Sequence, residues 1–494
     1  MGFLTAPAAR GRPRPGGDPL SRVVGWLATM VVGVLLGIQY WNPNKRVIPV
    51  AVALLMFGVA WRLNMLAALN VLVFLLPYPK GTVFGNTNLV FILLVFVIWL
   101  LRLSLRTAAP ARSSPIDLPI FGLLLCYILS FYNVQNAFAL ERAFQNFESL
   151  LACVLFFYMI VNNVRTQEDL RRFHQAQMVT ALLVFAVAAL EARTAGKIII
   201  PGLIDFSGTL GHDFNTRDVR VGASFRDYEL LSEYCGVTFL LMVFLWIRSK
   251  SQSQRVLLGL FTLFNVYTMF TTVTRGVIIA LGLTLPYLFF TIRRHLNAVK
   301  FVSGVVAIVA LAVTMNFFVA TYTNSGDMFE RLSQTRVVHG IVPEAREGAW
   351  LNAWKRSLVH PILGQGPYYG EMPGYEIWWP HNVYLFVANL IGFPGLLLFL
   401  LLLLGLVRVL RPVVDDLRHA SYADAYLIIA RTQLFMFMLN EIKIDYLRNA
   451  IYVFQVWMWF GTWTAAYLVS RDHGVRSADY LATPESPPDR SRAA

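Results

Sequence analysis

Residues 378–410 read WWPHNVYLFVANLIGFPGLLLFLLLLLGLVRVL, in which two tryptophans and a histidine precede an almost uninterrupted apolar run. About 20 apolar residues in a helix are enough to cross the hydrocarbon core of a bilayer. The run from residue 382 to residue 410 exceeds that length. This stretch therefore predicts a membrane-spanning helix that carries a titratable imidazole at its N-terminal end, close to the membrane surface.

The composition extends this interpretation to the whole chain. Of the 494 residues, 57% are hydrophobic and 14% are charged, and the mean hydropathy is +0.56. A soluble protein carries about 25% charged residues, so a water-soluble core cannot account for this much apolar sequence. The net charge of +14 indicates anchoring to anionic membrane lipid in such a protein, and it does not favour nucleic-acid binding.

The apolar runs predict an all-α, polytopic integral membrane protein with about 12 to 14 transmembrane helices. The two short runs at 47–61 and 63–77 are either half-helices or one broken helix, which leaves the count open. The predicted spans lie near residues 22–40, 47–61, 63–77, 87–101, 116–133, 145–162, 175–192, 228–247, 256–273, 276–292, 299–319, 382–410, 420–440 and 450–469.

Basic residues are distributed unevenly between alternate loops. One set of loops is rich in arginine and lysine, as in 102–112, 165–172, 248–255, 293–300 and 408–418, whereas the other short loops carry few. Cytoplasmic loops are the ones enriched in Lys and Arg. We therefore expect both termini to be cytoplasmic and the long connections 193–227 and 320–381 to be periplasmic, the second forming a large loop before the third-last helix.

Three parts follow from this topology. Residues 1–21 are expected to form a basic cytoplasmic tail, residues 22–469 the transmembrane domain, and residues 470–494, rich in Arg, Ser and Pro, a disordered cytoplasmic tail. The three cysteines all lie in apolar segments and form no disulfide or metal-binding pattern.

His381 has two interpretations. It is either an interfacial side chain with a polar tip, like its tryptophan neighbours, or a general base at the membrane surface, since histidine is the side chain best suited to proton abstraction near neutrality. Pro380 before it and Asn382 and Tyr384 after it favour a defined entry into the span, which fits the catalytic interpretation.

Arginines on the same side of the membrane are candidates for binding an anion. Arg275 interrupts an apolar stretch within Thr274-Arg275-Gly276, where guanidinium suits phosphate oxygens; it is otherwise a simple loop arginine. Arg217, Arg220 and Arg226 lie within ten residues with aspartates between them. They form either a pyrophosphate clamp or a charge-balanced, solvated loop.

Residues Glu344–His360 have the pattern of an amphipathic helix. Trp350, Trp354 and Leu358 recur every fourth residue, with acids near the start and Lys355 and Arg356 near the end. Such a helix lies on the outer leaflet or covers a cavity. Arg346, Trp350 and Tyr384 are candidates for contacts with an acceptor, although a surface role for Arg346 is an equal alternative.

A metal-dependent mechanism is a rival possibility. The chain contains no Asp-x-Asp sequence, and its nearest substitute is Asp227-Tyr228-Glu229. Closely spaced acids of this kind hold divalent cations, so Asp227 and Glu229 remain a weak alternative to a site without metal.

These motifs together resemble the bacterial O-antigen ligase and polymerase superfamily. The resemblance rests on His381-Asn382-x-Tyr384-Leu385 with Gly392 and Gly395 downstream, on Thr274-Arg275-Gly276, on residues 346–350, and on Leu363-Gly364-Gln365-Gly366-Pro367. Each motif is short. Their order, across about residues 210–410, is what makes the combination specific.

The resemblance implies a GT-C-like inner-membrane transferase without metal or other cofactor, working on the periplasmic side. Its donor would be a glycan on undecaprenyl pyrophosphate, and its acceptor a glycan or lipid A core, with room for a chain-length regulator as partner. By the resemblance His381 is the general base, and Arg275 and Arg220 hold the pyrophosphate; Arg217 and Arg226 compete for the role of Arg220. The sequence does not separate a ligase from an O-antigen or exopolysaccharide polymerase.

A transporter is the main rival class. A flippase of lipid-linked oligosaccharide or a small-solute permease would explain the spans and Arg431 within the span at 420–440. It would not explain the charged and aromatic residues that collect on one outer loop.

Overall fold

The computed structural model describes residues 58, 61–78, 81–82, 85–194, 199–200, 204–205, 220–293, 298–323, 325–333, 337–338, 342–343, 346–376 and 379–482. The predicted spans at 22–40 and 47–61 lie outside these residues, apart from residues 58 and 61, and so does Arg217.

The described residues are almost all helical. The α-helices are α1 (Met65–Leu75), α2 (Thr87–Ser104), α3 (Asp117–Ser130), α4 (Ala137–Asn163), α5 (Gln167–Arg193), α6 (Tyr228–Arg248), α7 (Gln252–Thr271), α8 (Arg275–Ile292), α9 (Ala298–Tyr322), α10 (Met328–Ser333), α11 (Glu347–Val359), α12 (Val383–Val409), α13 (Tyr422–Asn440) and α14 (Ala450–Ala482). Three antiparallel pairs of two-residue strands connect them: β1 (Gly81–Thr82) with β2 (Gly85–Asn86), β3 (Ile199–Ile200) with β4 (Ile204–Asp205), and β5 (Val337–Val338) with β6 (Val342–Pro343).

The helices confirm an all-α integral membrane protein. Every predicted span from 63–77 onward coincides with a helix. Within the described part of the chain, six helices are long and apolar enough to cross a membrane, namely α4, α5, α6, α8, α9 (over Val302–Tyr322) and α12. The total of 12 to 14 spans stays a prediction.

Capping residues explain where several helices begin. Thr166 and Asp169 form a capping box at the start of α5, and the side chains of Asp227 and Asn382 accept hydrogen bonds from the first turns of α6 and α12. Such caps satisfy backbone N–H groups that have no partner within the helix. Two of these capped ends, those of α6 and α12, lie at the candidate site described below.

Helix α12 is broken near its middle, where a loop from the preceding connection docks against it. Ile391 and Gly392 leave the helical conformation, with φ 75° at Gly392, and the Phe393 N–H donates to the Pro361 carbonyl at 2.8 Å. A Cβ on Gly392 would lie 2.2 Å from the Ile362 carbonyl oxygen, and one on Gly364 2.3 Å from that of Leu390. Only glycine permits this approach.

The described helix α14 continues past residue 469, where the last span was predicted to end, and runs to Ala482. Polar residues such as Arg471 and Asp472 occupy this extension and form an ion pair at 3.3 Å. Helices extend beyond a membrane without loss of their internal hydrogen bonds, so hydropathy locates the edge of a span and not the end of a helix.

Candidate active site

The candidate site lies where the N-terminal ends of α6, α8 and α12 meet the segment 441–449, which joins α13 to α14. Asn382 links two of these parts, because its side chain accepts from the Leu385 N–H at 3.0 Å and donates to the Ile442 carbonyl at 3.1 Å. The Val383 N–H donates to the Glu441 carbonyl at 3.0 Å. The residue before Asn382, His381, is thereby held against the 441–449 segment.

His381 has one ring nitrogen engaged and the other open. Its Nδ1 lies 3.5 Å from Glu229 Oε2 and contacts a guanidinium nitrogen of Arg448. Within the described residues Nε2 has no hydrogen-bond partner, and the side chain is 36% exposed. A partly exposed imidazole with an open Nε2 can reach a ligand, and it can accept a proton there in the tautomer that carries its hydrogen on Nδ1.

Arg448 is a site residue that sequence reasoning counted only as a loop charge. Its Nη2 lies 2.7 Å from Asp227 Oδ2 and 2.9 Å from Glu229 Oε2. Burial lowers the pKa of Arg448, but the carboxylates of Asp227, Glu229 and Asp445 outweigh burial and raise that pKa above its ordinary value. The only signal in the sequence was a cation in a short outer loop.

Glu229 connects Arg448 to a second arginine. Its Oε1 lies 2.5 Å from a terminal nitrogen of Arg346, which also contacts the Lys443 carbonyl. The two acids that were considered for a metal, Asp227 and Glu229, are thus both bound to guanidinium groups. Among the described residues no group of three or more His, Cys, Asp or Glu side chains is arranged to hold a metal ion.

Four cations that lie close to one another define what we call the cationic cluster: Arg275, Arg331, Arg346 and Lys443. Arg275 donates to the Arg331 carbonyl at 2.8 Å and interacts electrostatically with Arg331, Arg346 and Glu229. Burial, followed by repulsion from Arg346 and Arg275, lowers the pKa of Lys443. Like charges held together in this way favour an anionic ligand. Arg331 and Lys443 had not been recognised from the sequence.

Arg220 supports the turn that leads into Arg275. It is buried, donates to the carbonyls of Thr272 and Val273 at 3.3 and 3.5 Å and to the Thr274 hydroxyl at 3.2 Å, and lies over the Tyr228 ring at 3.2 Å. Burial lowers its pKa to about 10. In this arrangement Arg220 positions the turn through two of its nitrogens.

Two carboxyl groups, those of Glu441 and Asp445, lie buried in the 441–449 segment. Burial raises the pKa of Asp445 to about 7 and, with repulsion from Glu233 and Asp445, raises that of Glu441 well above its usual range. Asp445 also accepts from the Arg448 N–H at 3.1 Å. The sequence did not indicate these two buried acids, which hold their protons to a higher pH than exposed carboxyl groups do.

Trp350 and Tyr384 serve packing in this structure. Trp350 lies half-buried on α11, whose buried face consists of Ala349, Ala353, Arg356 and Ser357, while Trp354 is 47% exposed. The Tyr384 hydroxyl donates to the Met438 carbonyl at 3.0 Å and joins α12 to α13. Contacts of either residue with an acceptor stay a prediction.

Comparison with known protein families gives a match. Residues 260–400 match a family model described as O-antigen ligase, a range that includes Arg275, Arg346 and His381 and excludes Arg220 and Arg448. No curated protein matches the chain. Through residues 260–400 this integral membrane protein resembles the O-antigen ligase and polymerase superfamily, and this match supports a glycan transferase of that type.

Proposed function

We propose that the protein is an O-antigen ligase, or an O-antigen or exopolysaccharide polymerase, of the bacterial inner membrane. It takes a glycan from undecaprenyl pyrophosphate and transfers it, with inversion and without metal, to an acceptor hydroxyl on the periplasmic side. The acceptor is a growing glycan or a lipid A core. The observation that carries this proposal is His381, whose Nε2 has no partner among the described residues, beside Glu229 and at the same end of the helices as the cationic cluster.

The general base works through its contact with Glu229. Nδ1 faces both Glu229, which only accepts hydrogen bonds, and Arg448, which only donates them. In the reactive form Nδ1 carries the proton and donates it in a hydrogen bond to Glu229, so that the lone pair lies on Nε2. Nε2 takes the proton of the acceptor hydroxyl while the hydroxyl oxygen bonds to the anomeric carbon of the donor glycan. The bond between that carbon and the phosphate oxygen breaks at the same time, and undecaprenyl pyrophosphate leaves. Glu229 then stabilises the imidazolium, as the third member of a catalytic triad does.

The leaving pyrophosphate is stabilised by positive charge. Arg275 begins α8, and its N-cap residue Thr274 makes no side-chain cap hydrogen bond, so the first N–H groups of the helix lie beside Arg275 without that partner. Helix N-termini and arginines both bind phosphate oxygens, and fixed donors of this kind stabilise charge that develops during reaction. Arg220 contributes by holding the turn before Arg275.

A mechanism without metal is supported by the partners of the acids. Asp227 and Glu229 already bind Arg448 and Arg346. A divalent cation would have to displace these guanidinium groups. The pyrophosphate leaves with stable negative charge, so arginines suffice where other transferases use a cation.

The test is transfer from a lipid-linked donor by the purified protein in proteoliposomes. We expect His381→Ala to lower the rate by about 100-fold or more and His419→Ala, a histidine exposed at the other end of the helices, to leave it unchanged. EDTA should have no effect. A normal rate in His381→Ala would refute the general base, and movement of donor lipid with no transferred product would indicate the transporter class.

Deletion of the gene separates the two enzyme classes. Lipid A core without long glycan indicates a ligase, single repeat units on core indicate an O-antigen polymerase, and loss of secreted polymer with normal lipopolysaccharide indicates exopolysaccharide synthesis. In all three outcomes the site chemistry is the same.

A further inference from the structure

A groove of about 580 Å³ opens between α5, α6 and α7, at the end of these helices opposite His381. We propose that it binds one glycerophospholipid with a net negative headgroup, from the leaflet on that side of the membrane. This inference does not depend on the proposed reaction, because none of its residues belongs to the candidate active site.

The mouth of the groove is basic. Arg171, Arg248 and Lys250 line it, and among the described residues no carboxylate lies within ion-pair distance of any of the three. The acid in the lining, Glu168, is paired with Arg172 at 2.9 Å. Cations without a nearby carboxylate attract anionic lipid at a membrane surface, and each Lys or Arg contributes about 1 kcal/mol of binding free energy.

The same end of α7 adds backbone donors. Ser251, its N-cap residue, makes no side-chain cap hydrogen bond, so the first N–H groups of α7 lie beside Lys250 without that partner. Of this first turn Gln254 lines the groove with the three cations, so its N–H is the backbone donor for a phosphate ester bound there.

The walls beyond the mouth are apolar. Val179, Leu257 and Phe261 line the groove, and Val179 and Leu257 are 51% and 49% exposed. On α5 the lining runs from Gln167 to Leu182, and its part from Arg171, the headgroup contact, to Leu182 is about 16 Å long at 1.5 Å per residue. That length matches the thickness of one leaflet, about 15 Å, so a headgroup at Arg171 places its acyl chain along the whole wall.

The charges decide which lipid binds. A zwitterionic headgroup carries its own positive group, which Arg171 and Lys250 repel. A headgroup with net negative charge has no such repulsion, and the groove therefore binds it more strongly. The position excludes the donor's pyrophosphate, which the cationic cluster would bind at the other end of the helices. The occupant is therefore a structural or regulatory lipid.

Native mass spectrometry of the full-length protein in detergent tests the proposal, with phosphatidylglycerol and phosphatidylcholine of equal chain length as probes. We expect the wild type to retain phosphatidylglycerol roughly tenfold better. Arg171→Gln with Lys250→Gln should abolish this preference. The matched control, Arg408→Gln with Arg411→Gln, removes two exposed cations at the same end outside the groove and should keep it.

A second variant leaves the charges intact. Val179→Trp places a large side chain in the apolar part of the groove and should lower the retention of phosphatidylglycerol. This variant tests the proposal even if the double variant fails to fold. Arg248 is left unchanged because it holds the carbonyls of Arg418 and Ala420 at 2.7 and 2.8 Å. Equal retention of the two lipids, unchanged retention in Val179→Trp, equal loss in the control, or preferential retention of an isoprenyl phosphate would each overturn the proposal.

Discussion

His381 has an unusual backbone, with φ 47°. Non-glycine residues rarely take positive φ, and such strain collects at functional sites. Five non-glycine residues among the described ones have positive φ. Besides His381, three of them lie next to the site: Ala223, Arg226 and Val273. The turns that carry the general base and that precede α6 and Arg275 are thus held in costly conformations, as expected of side chains that must be oriented before substrate arrives.

Glu229 is the residue on which the arrangement of His381 depends. Glu229→Gln removes the carboxylate that accepts from Nδ1, so we expect kcat to fall by at least about tenfold while the KM for donor changes little. Asp227→Asn is the matched variant, because Asn also caps α6 and Asp227 does not contact His381. Steady-state transfer rates check this, and a larger loss of kcat in Asp227→Asn than in Glu229→Gln would contradict it.

Asp445 should make stability fall as pH rises. Burial raises its pKa to about 7, whereas in the unfolded chain it ionises near pH 4. Between these values the folded protein holds a proton that unfolding releases, so the free energy of unfolding decreases with rising pH, by at most about 4 kcal/mol. We expect Asp445→Asn to reduce the drop in unfolding temperature between pH 5 and pH 8.

Asp416 provides the control for this experiment. Hydrogen bonds from the Arg418 N–H and from His419 outweigh its slight burial and lower the pKa of Asp416 to about 2, so it titrates well below the tested interval. Asp416→Asn should therefore show the full drop of the wild type. An unchanged pH dependence in Asp445→Asn would mean that Asp445 is ionised throughout.

At the scale of elements, the break in α12 fixes the connection that precedes the site. The Gln365 N–H donates to the Asn389 carbonyl at 2.8 Å, and the Asn389 side chain donates to Ala353 and Ser357 of α11 at 2.9 and 3.0 Å. Backbone freed by a break in a membrane helix must find partners within the protein. Here the loop and α11 supply them, so α11 is held in place beside the site.

Gly392→Ala should undo this docking. Positive φ alone costs an alanine about 1 to 2 kcal/mol, and its Cβ would overlap the Ile362 carbonyl. We expect a loss of more than about 2 kcal/mol of stability together with a loss of transfer activity. Gly282→Ala on α8 has open space around its Cβ and should be neutral or stabilising by up to about 1 kcal/mol. Thermal unfolding of both variants distinguishes these outcomes.

At the scale of the whole molecule, the helices present large apolar side chains outward. Leu118 is 81% exposed, and Phe317 on α9 is 65% exposed, which suits contact with lipid tails. Polar side chains lie inside instead, as in the buried hydrogen bonds of Gln433 with Tyr426 and Trp463 at 3.1 and 3.0 Å. In a bilayer, hydrogen bonds and close packing hold helices together, because burial of apolar surface gives no gain over lipid.

The orientation of the whole molecule in the membrane can be tested with single cysteines. Glu371 lies exposed on the connection before α12, and Arg411 lies exposed beyond the other end of that helix, so each is replaced by cysteine. A membrane-impermeant maleimide added to cells with a permeable outer membrane should label Glu371→Cys, and Arg411→Cys only after lysis. Cys153 and Cys235 are buried, and Cys126, which is partly exposed on the apolar helix α3, is replaced by serine in both variants to remove its background. The reverse labelling would place the site in the cytoplasm.

Much of the architecture could be predicted from the sequence because its causes are local. Runs of apolar residues located the helices, Asn382 marked the start of α12, and the pattern of Glu344–His360 predicted α11, which spans Glu347–Val359. His381 and Arg275 stood out because a charged or titratable group beside an apolar run is costly unless it has a function. These signals act over a turn or two of helix, which a single sequence displays.

The tertiary structure alone decided which groups meet. Arg448 lies 67 residues from His381 and 219 from Glu229, so no local pattern joins them. The tertiary structure also determines which face of α11 is buried: the face with Ala349 and Ala353, and not the face with the tryptophans. Small residues let helices approach closely, whereas large apolar side chains lose no free energy by facing lipid. Hydropathy and capping depend on neighbours in the chain, whereas ion pairs and packing faces depend on how whole helices are placed against one another.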